Sequence, residues 1–118
     1  MKRTLLKSKI HRAVVTEADL EYEGSLKVDE DLMQAAGMIP FERVEIYNLA
    51  NGERFATYLI KGEKGSGVVS VNGAAAHKAK PGDLVIIATY VQLEEDEVGF
   101  FMPRVVLVDG NNRVAGTR

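Results

Sequence analysis

The sequence predicts a mainly β fold, a small β-barrel or sandwich with one or two short helices. Three observations lead to this prediction. In most periodic segments apolar and polar residues alternate, as they do in half-buried strands. Turn sequences rich in glycine, asparagine and aspartate separate these segments at short intervals. Helical periodicity is confined to short stretches, so helices are expected to be few.

Six segments have strand character. The first, residues 5–16, is long enough for one or two strands. Residues 43–49 and 54–60 flank Asn51-Gly52, which is the strongest short signal for a β-hairpin. The remaining three segments are bounded by glycine-rich or proline-containing turns, and they are residues 68–71, 84–91 and 104–109.

One helix is predicted over residues 29–36. Asp29 is a suitable N-cap residue, acidic residues follow in the first turn, and Gly37 stands just past the end. A short helical turn is expected at residues 74–77. The acidic run 94–97 is expected to be a solvated loop, and the polar tail after Gly110 is expected to fray.

Length and composition predict a single domain over residues 1–118. A chain of 118 residues and 12.9 kDa can bury a core of its own. Its 46% apolar and 27% charged residues are ordinary for a globular protein and exclude a disordered chain. The net charge of -2 argues against nucleic-acid binding, because nucleic-acid binders normally present a basic surface.

Several kinds of site and segment are excluded or disfavoured. The absence of cysteine excludes disulfides, thiolate zinc sites and cysteine nucleophiles, and two histidines are too few for a convincing metal site. Residues 84–91 are the longest apolar stretch, far short of the ~20 residues of a membrane-spanning helix. Lys7 and Lys9 interrupt the N-terminal segment where a signal peptide is apolar. We therefore expect no membrane partner and a cytoplasmic protein.

Familiar catalytic motifs do not occur: the sequence has no G-x-S-x-G, Walker loop or dinucleotide fingerprint. On these grounds alone, the favoured class is a noncatalytic β-barrel interaction module, such as a small dimeric transcriptional regulator. Gly24-Ser25, in the segment LEYEGS, is by itself an ordinary turn dipeptide.

The same dipeptide also permits an internal chain cleavage. Glycine has no Cβ and allows strained backbone angles, so the hydroxyl of the next residue can attack the carbonyl before it. The amide then becomes an ester, and elimination from the serine breaks the chain. Such a site needs a strained turn and a group that stabilises the oxyanion.

Five blocks in order resemble the pyruvoyl-dependent aspartate decarboxylase family. They are KSKIHRAVVTEADLEYEGS at residues 7–25, AAG at 35–37, NGERFATY at 51–58, SVNGAAAH at 70–77, and GD at 82–83. Their order and spacing together are highly specific, and the similarity covers nearly the whole chain. The stretch after Phe100 resembles the family least.

The resemblance implies a fold and an activity. The expected fold is a double-psi β-barrel assembled as a homotetramer. The zymogen is expected to cleave itself between Gly24 and Ser25 into residues 1–24 and 25–118, and Ser25 becomes a pyruvoyl group. That covalent cofactor forms a Schiff base with L-aspartate and accepts electrons as CO2 leaves, without metal or pyridoxal phosphate. The product, β-alanine, supplies pantothenate biosynthesis. A maturation helper protein as a further partner is left open.

The resemblance also assigns roles to residues of the NGERFATY block. Tyr58 matches the proton donor, and Arg54 is expected to hold a substrate carboxylate through its planar guanidinium. The two residues are four apart in one predicted strand, so their side chains share a face. Thr57 matches the residue that assists self-cleavage and contacts substrate, yet strand parity places it on the opposite face. By spacing alone, the favoured interpretation of Arg54 is a solvated hairpin arginine next to Asn51-Gly52.

The remaining assignments come from the other blocks. Lys9 is expected to be a second carboxylate contact. The backbone of Asn72, Gly73, Ala74 and Ala75 is expected to donate N–H groups to the substrate at the start of a helical turn. Tyr22 and His11 are expected to line the cleavage region, and a structural role for His11 remains as good an explanation.

Overall fold

Strands make up most of the chain, whose residues 1–118 are all described by a computed structural model. The nine strands are β1 Lys2–Val14, β2 Glu17–Asp19, β3 Ser25–Asp29, β4 Arg43–Asn48, β5 Arg54–Gly62, β6 Val69–Asn72, β7 Leu84–Glu94, β8 Arg104–Val108 and β9 Val114–Thr117. The helices are α1 Glu30–Ala36, a 3₁₀ helix Gly73–His77, and α2 Glu95–Val98. None of these helices has the length and apolar character needed to cross a membrane.

The strands follow the order β2-β6-β3-β5-β4-β7-β1-β8-β9. Three neighbouring pairs are parallel, namely β1 with β8, β2 with β6, and β3 with β5, and the other pairs are antiparallel. One face of this mixed sheet surrounds a single apolar core that includes Ile10, Leu26, Ile46, Leu59 and Ile87. A mainly β fold with two short α-helices is confirmed, and it is consistent with a double-psi β-barrel.

The predicted hairpin and helix are present. β4 and β5 pair antiparallel around Asn51-Gly52, and Gly52 has a φ of 77°. Asp29 caps α1 by accepting a hydrogen bond from the backbone N–H of Asp31, and Gly37 ends it in the left-handed conformation. Local capping chemistry therefore specifies these two elements. The short strands β2 and β3, on either side of LEYEGS, were not predicted.

The prediction of a frayed C-terminal tail is wrong. β9 pairs with β8, and the buried Asn112 connects the tail to the rest of the fold. Its Nδ2 donates to the carbonyls of Val14 and Gly67 at 2.8 Å each, and its Oδ1 accepts from the Val14 N–H. A polar residue in a polar segment gives no sequence signal for such distant backbone partners.

The acidic run 94–97 was predicted to be a solvated loop. Its residues are exposed, as predicted, but they do not form a loop. Residue 94 ends β7, and Glu95–Val98 form the one-turn helix α2. A capping box in which Glu94 and Glu97 each bond to the other's backbone N–H stabilises this turn.

Candidate active site

Ser25 is the first residue of β3 and is fully buried. It pairs with Asn72 of the antiparallel neighbour β6. On the other side, Leu26 pairs with Leu59 of the parallel strand β5, so the same register brings Tyr58 beside Ser25. Paired residues in a sheet point to the same face. Ser25, Asn72 and Tyr58 therefore lie on one face, opposite to the core face that Leu26 and Leu59 occupy.

A buried chain of hydrogen bonds holds the Ser25 hydroxyl. Ser25 Oγ donates to the Glu23 carbonyl oxygen at 2.9 Å and accepts from Asn72 Nδ2 at 3.1 Å. Asn72 Oδ1 in turn accepts from Ser70 Oγ at 2.8 Å. Ser25, Ser70 and Asn72 are at most 2% exposed, so water does not compete for these groups. These two bonds hold the hydroxyl in one orientation.

Gly73 makes the closest approach to the Gly24–Ser25 segment. A Cβ at position 73 would lie 2.6 Å from Gly24 Cα and 2.8 Å from Gly24 N, closer than real Cβ contacts allow. Gly73 also has a φ of 72°, which favours glycine. Self-cleavage was expected to need a strained turn at Gly24, but the left-handed conformation occurs at Gly73, across from it.

β5 presents Arg54 and Tyr58 on the face that Ser25 shares. Arg54 is exposed and Tyr58 half-buried, and the Tyr58 ring lies 6.4 Å from the Phe41 ring between centroids. Thr57 alternates with them and lies on the core face, in register with the buried Val44. The Thr57 side chain therefore lies on the opposite face from Arg54 and Tyr58, as strand alternation predicted.

Arg54 stacks on Tyr47, its partner in β4, with its Cζ 3.9 Å from the ring centroid. The Tyr47 hydroxyl is 2.6 Å from the Tyr90 hydroxyl. Burial raises the pKa of Tyr47, and the bond to Tyr90 raises it further, so the ring stays neutral. Arg54 takes part in none of the ion pairs of the chain. Its charge is therefore available to an external carboxylate.

Lys9 lies on the same face of the sheet but far from Ser25. It pairs with Ala88 of β7, which pairs with Glu45 of β4, which pairs with Ala56 of β5. With ~4.8 Å between neighbouring strands, Lys9 is ~14 Å from β5 and ~19 Å from β3 along the sheet. Within one chain, the three strands β5, β4 and β7 therefore lie between Ser25 and Lys9.

Residues 72–75 begin beside Ser25 and lead into the 3₁₀ helix. Ala74 is exposed, and Ala75 packs against the core from the 3₁₀ helix. The Asn72 side chain does not cap that helix, because it bonds to Ser25 and Ser70. Asn72 thus approaches Ser25 with its side chain, a contact that the expected backbone role did not include.

Tyr22 lies close to Gly24–Ser25 in the chain, whereas His11 lies in β1. Tyr22 is exposed at the start of the Gly24–Ser25 segment, with Lys27 Nζ 5.4 Å from its ring centroid. His11 is in β1, paired with Leu107 of β8, and within one chain it is remote from Ser25. Its buried Nδ1 has no hydrogen-bond partner. Burial lowers the pKa of His11, and the nearby charges of Lys9, Arg12 and Arg118 lower it further.

Sequence reasoning missed Ser70, Tyr47 and Tyr90. Ser70 precedes Asn72 by two residues in a strand, so alternation alone could have placed both on one face. Tyr47 could have been placed opposite Arg54 only from the register of the hairpin, which depends on the loop between the strands. No group of three or more His, Asp or Glu side chains is arranged to hold a metal ion.

Comparisons with known proteins extend over the whole chain. The model of the aspartate decarboxylase family matches residues 1–115. The chain is 59% identical to the aspartate 1-decarboxylase of Thioalkalivibrio sulfidiphilus (strain HL-EbGR7), over 97% of this chain and 90% of the relative. It is 58% identical to that of Bordetella avium (strain 197N), over 100% and 97%. It is 54% identical to that of Ralstonia pickettii (strain 12J), over 97% and 95%.

Proposed function

The chain belongs to the aspartate decarboxylase family, and we infer that it is a carboxy-lyase that converts L-aspartate to β-alanine and CO2. The observation that carries the mechanism is the buried Ser25 hydroxyl, held between Asn72 and the Glu23 carbonyl beside a glycine peptide bond. The β-alanine formed is proposed to supply pantothenate biosynthesis in the cytoplasm.

Maturation is proposed to begin at the Gly24–Ser25 bond. Ser25 Oγ forms a bond to the Gly24 carbonyl carbon, its proton passes to the Ser25 nitrogen, and the C–N bond breaks to leave an ester and an amine. Ser25 Cα then loses its proton and the Cβ–Oγ bond breaks, which leaves a Gly24 carboxylate at the end of residues 1–24 and a C=C bond at residue 25. Cβ takes up a proton as the enamine becomes an imine, one water hydrolyses the imine, ammonia leaves, and a ketone remains at residue 25.

The residues around Ser25 fit a pyruvoyl group. Asn72 Nδ2 donates to the position of Ser25 Oγ, and Gly73 leaves room where any Cβ would collide with Gly24. Both features suit a serine that must change its covalent structure inside the fold. When formed, the pyruvoyl group would bind the amine of L-aspartate and accept the electrons left by CO2.

Arg54 and Tyr58 are proposed to handle the substrate on the face next to Ser25. Arg54 binds a carboxylate of L-aspartate through two parallel N–H donors, and its stacking on Tyr47 keeps the guanidinium at the surface. Tyr58 gives its phenolic proton to the carbon that has lost CO2. The backbone of residues 72–75 is proposed to orient the substrate, since Gly73 is packed against Gly24.

Thr57 is proposed to act at the cleavage stage. The parallel pairing of β3 and β5 begins at Leu26 and Leu59, two residues after Gly24 and Thr57. Thr57 is proposed to act on the bond to be broken through its backbone, because its side chain lies on the other face. A contact with substrate through its backbone is compatible with this placement.

We propose a homotetramer in which the site is completed between copies. None of the surface pockets of one chain includes Ser25, Arg54 or Tyr58. Lys9 is ~19 Å from Ser25 along the sheet of the same chain. A Lys9 that contacts the substrate must then come from a neighbouring copy, where it would bind the second carboxylate.

Intact-protein mass spectrometry under denaturing conditions tests the proposal. We expect two fragments split at Gly24–Ser25, the larger about 17 Da lighter than a chain with an amino-terminal serine, because NH3 is lost when the ketone forms. The Ser25→Ala variant should remain one chain without decarboxylase activity. An intact wild-type chain that does not release CO2 from L-aspartate would contradict the proposed function.

A further inference from the structure

Ser70 is the buried end of the hydrogen-bond chain that reaches Ser25. It has no role in the proposed function so far, and it is connected to Ser25 through the Asn72 side chain. Its hydroxyl donates to Asn72 Oδ1 at 2.8 Å, and it is 2% exposed. Ser70 and Asn72 are two residues apart in β6, so both side chains point to the face where Ser25 lies.

An asparagine amide can point its oxygen or its NH2 group at a neighbour. Here the hydroxyl proton of Ser25 is already donated to the Glu23 carbonyl, so Ser25 Oγ can only accept from Asn72. Ser70 donates to the other side of the amide and satisfies Oδ1. This arrangement forms three hydrogen bonds among these groups. With the amide reversed, Oδ1 would compete with Glu23 for the Ser25 proton.

We propose that Ser70 is a positioning residue for self-cleavage, which holds the Asn72 amide with its NH2 group toward Ser25 Oγ. The inference rests on the proposed cleavage at Gly24–Ser25. Ser25 Oγ gains negative charge when the Cβ–Oγ bond breaks, because it then becomes an oxygen of the Gly24 carboxylate. An N–H donor on that oxygen favours this step, and an amide oxygen in the same place disfavours it.

The experiment follows cleavage of the full-length chain made by cell-free synthesis, with intact mass spectrometry at successive times. Ser70→Ala should cleave about 2- to 10-fold more slowly, the range expected for one lost hydrogen bond. Ser70→Thr and Ser70→Val have the same shape and differ in the hydroxyl. Ser70→Thr should recover the rate relative to Ser70→Val.

A double variant separates positioning from a general structural effect. In the Asn72→Ala background, the further change Ser70→Ala should alter the cleavage rate by less than about 2-fold, because Ser70 acts through the amide. Ser8→Ala is the matched control, since Ser8 is a buried serine with a side-chain hydrogen bond to Thr89. It should cleave at the wild-type rate.

Three results would overturn the inference while leaving self-cleavage intact: a wild-type rate in Ser70→Ala, equal rates in Ser70→Thr and Ser70→Val, or full additivity with Asn72→Ala. A wild-type chain that never cleaves would instead overturn the proposed maturation, and the role of Ser70 with it. The two failures are therefore distinguished by the wild-type time course.

Discussion

At the scale of single residues, Arg54 combines a fixed position with an unpaired charge. Its guanidinium stacks on Tyr47, and no carboxylate of the chain pairs with it. Arg3, by contrast, forms an ion pair with Glu95. An arginine that is held but unpaired is suited to a carboxylate from outside.

Replacing Arg54 by lysine tests this role. Arg54→Lys keeps the charge but loses the two parallel donors and the planar surface that stacks on Tyr47. We expect normal cleavage and about a 10- to 100-fold loss of kcat/KM for L-aspartate, the range for a hydrogen bond to a charged group. Arg3→Lys, at an exposed ion pair, is the control and should be unaffected. Equal kinetics of Arg54→Lys and wild type would show that Arg54 is only a surface residue of the hairpin and does not bind the substrate.

Tyr58 is the residue-scale test of the proton transfer. Tyr58→Phe keeps the ring and its packing near Phe41, so folding and cleavage at Ser25 should survive. A positioned proton donor contributes ~10²–10⁴-fold, and the loss should appear mainly in kcat. Steady-state kinetics of the processed variant with L-aspartate measure this loss in kcat. Turnover of L-aspartate at the wild-type rate would assign the proton to another group.

At the scale of elements, the 3₁₀ helix contacts the segment before β3 at the proposed cleavage bond. The start of that helix is Gly73, which adopts a left-handed φ and lies against Gly24. Asn72, just before it, bonds to Ser25. One strand end thus supplies both the side chain that holds the proposed nucleophile and the gap that accommodates the preceding glycine.

Gly73→Ala should disrupt this contact. Its Cβ would meet Gly24 Cα at 2.6 Å, so the segment before β3 must move. Gly52→Ala is a matched control, because Gly52 also has a positive φ, 77°, but open space around it. Both variants should lose about 1–2 kcal/mol of stability from the left-handed backbone. Only Gly73→Ala should lose more and cleave slowly, as measured by thermal unfolding in a Ser25→Ala background and by mass spectrometry. Similar behaviour of the two variants would show that the close approach has no effect.

At the scale of the whole molecule, two buried polar side chains connect distant segments. Asn112 ties the C-terminal tail to β1 and to Gly67. Asp29 accepts backbone N–H bonds from Asp31, Gly65 and Gly67. These bonds hold the 1–24 segment, the loop before β6 and the tail together, and β1 also lies between β7 and β8. We expect the two fragments to remain associated after cleavage.

The pH dependence of stability follows from Asp29. Burial raises the pKa of Asp29, but the hydrogen bonds from Gly67, Asp31 and Gly65 lower it more, and the net shift is downward. A carboxylate with a depressed pKa contributes stability above its unfolded pKa of about 3.9, and this stability is lost as the pH falls through the folded pKa. Asp29→Asn should therefore be less stable by about 1.5–3 kcal/mol at pH 7.

The difference between Asp29→Asn and wild type should shrink as the pH falls below about 4. Urea unfolding at pH 7 and at pH 3, in a Ser25→Ala background, measures this change. Asp31→Asn is the control, because Asp31 is half-buried and its carboxylate pairs only with the exposed Lys64. A difference between wild type and Asp29→Asn that stays constant over this pH range would show that the Asp29 charge does not contribute.

The sequence determined the elements whose causes are local. Alternation predicted the main strands, Asn51-Gly52 predicted the hairpin, and Asp29 with Gly37 predicted the bounds of α1, because period, turn and cap are properties of neighbouring residues. Its ordered motif blocks also identified the family. Strand parity correctly separated Thr57 from Arg54 and Tyr58.

Only the tertiary structure decided which residues meet across the sheet. It placed Asn72 and Ser70 behind Ser25, Tyr47 beneath Arg54, and Asn112 under the tail that was expected to fray. It also placed Lys9 ~19 Å along the sheet from Ser25 of the same chain. The physical reason is that strand order and register join residues far apart in sequence, and their pairing energy depends on the whole sheet rather than on local preference.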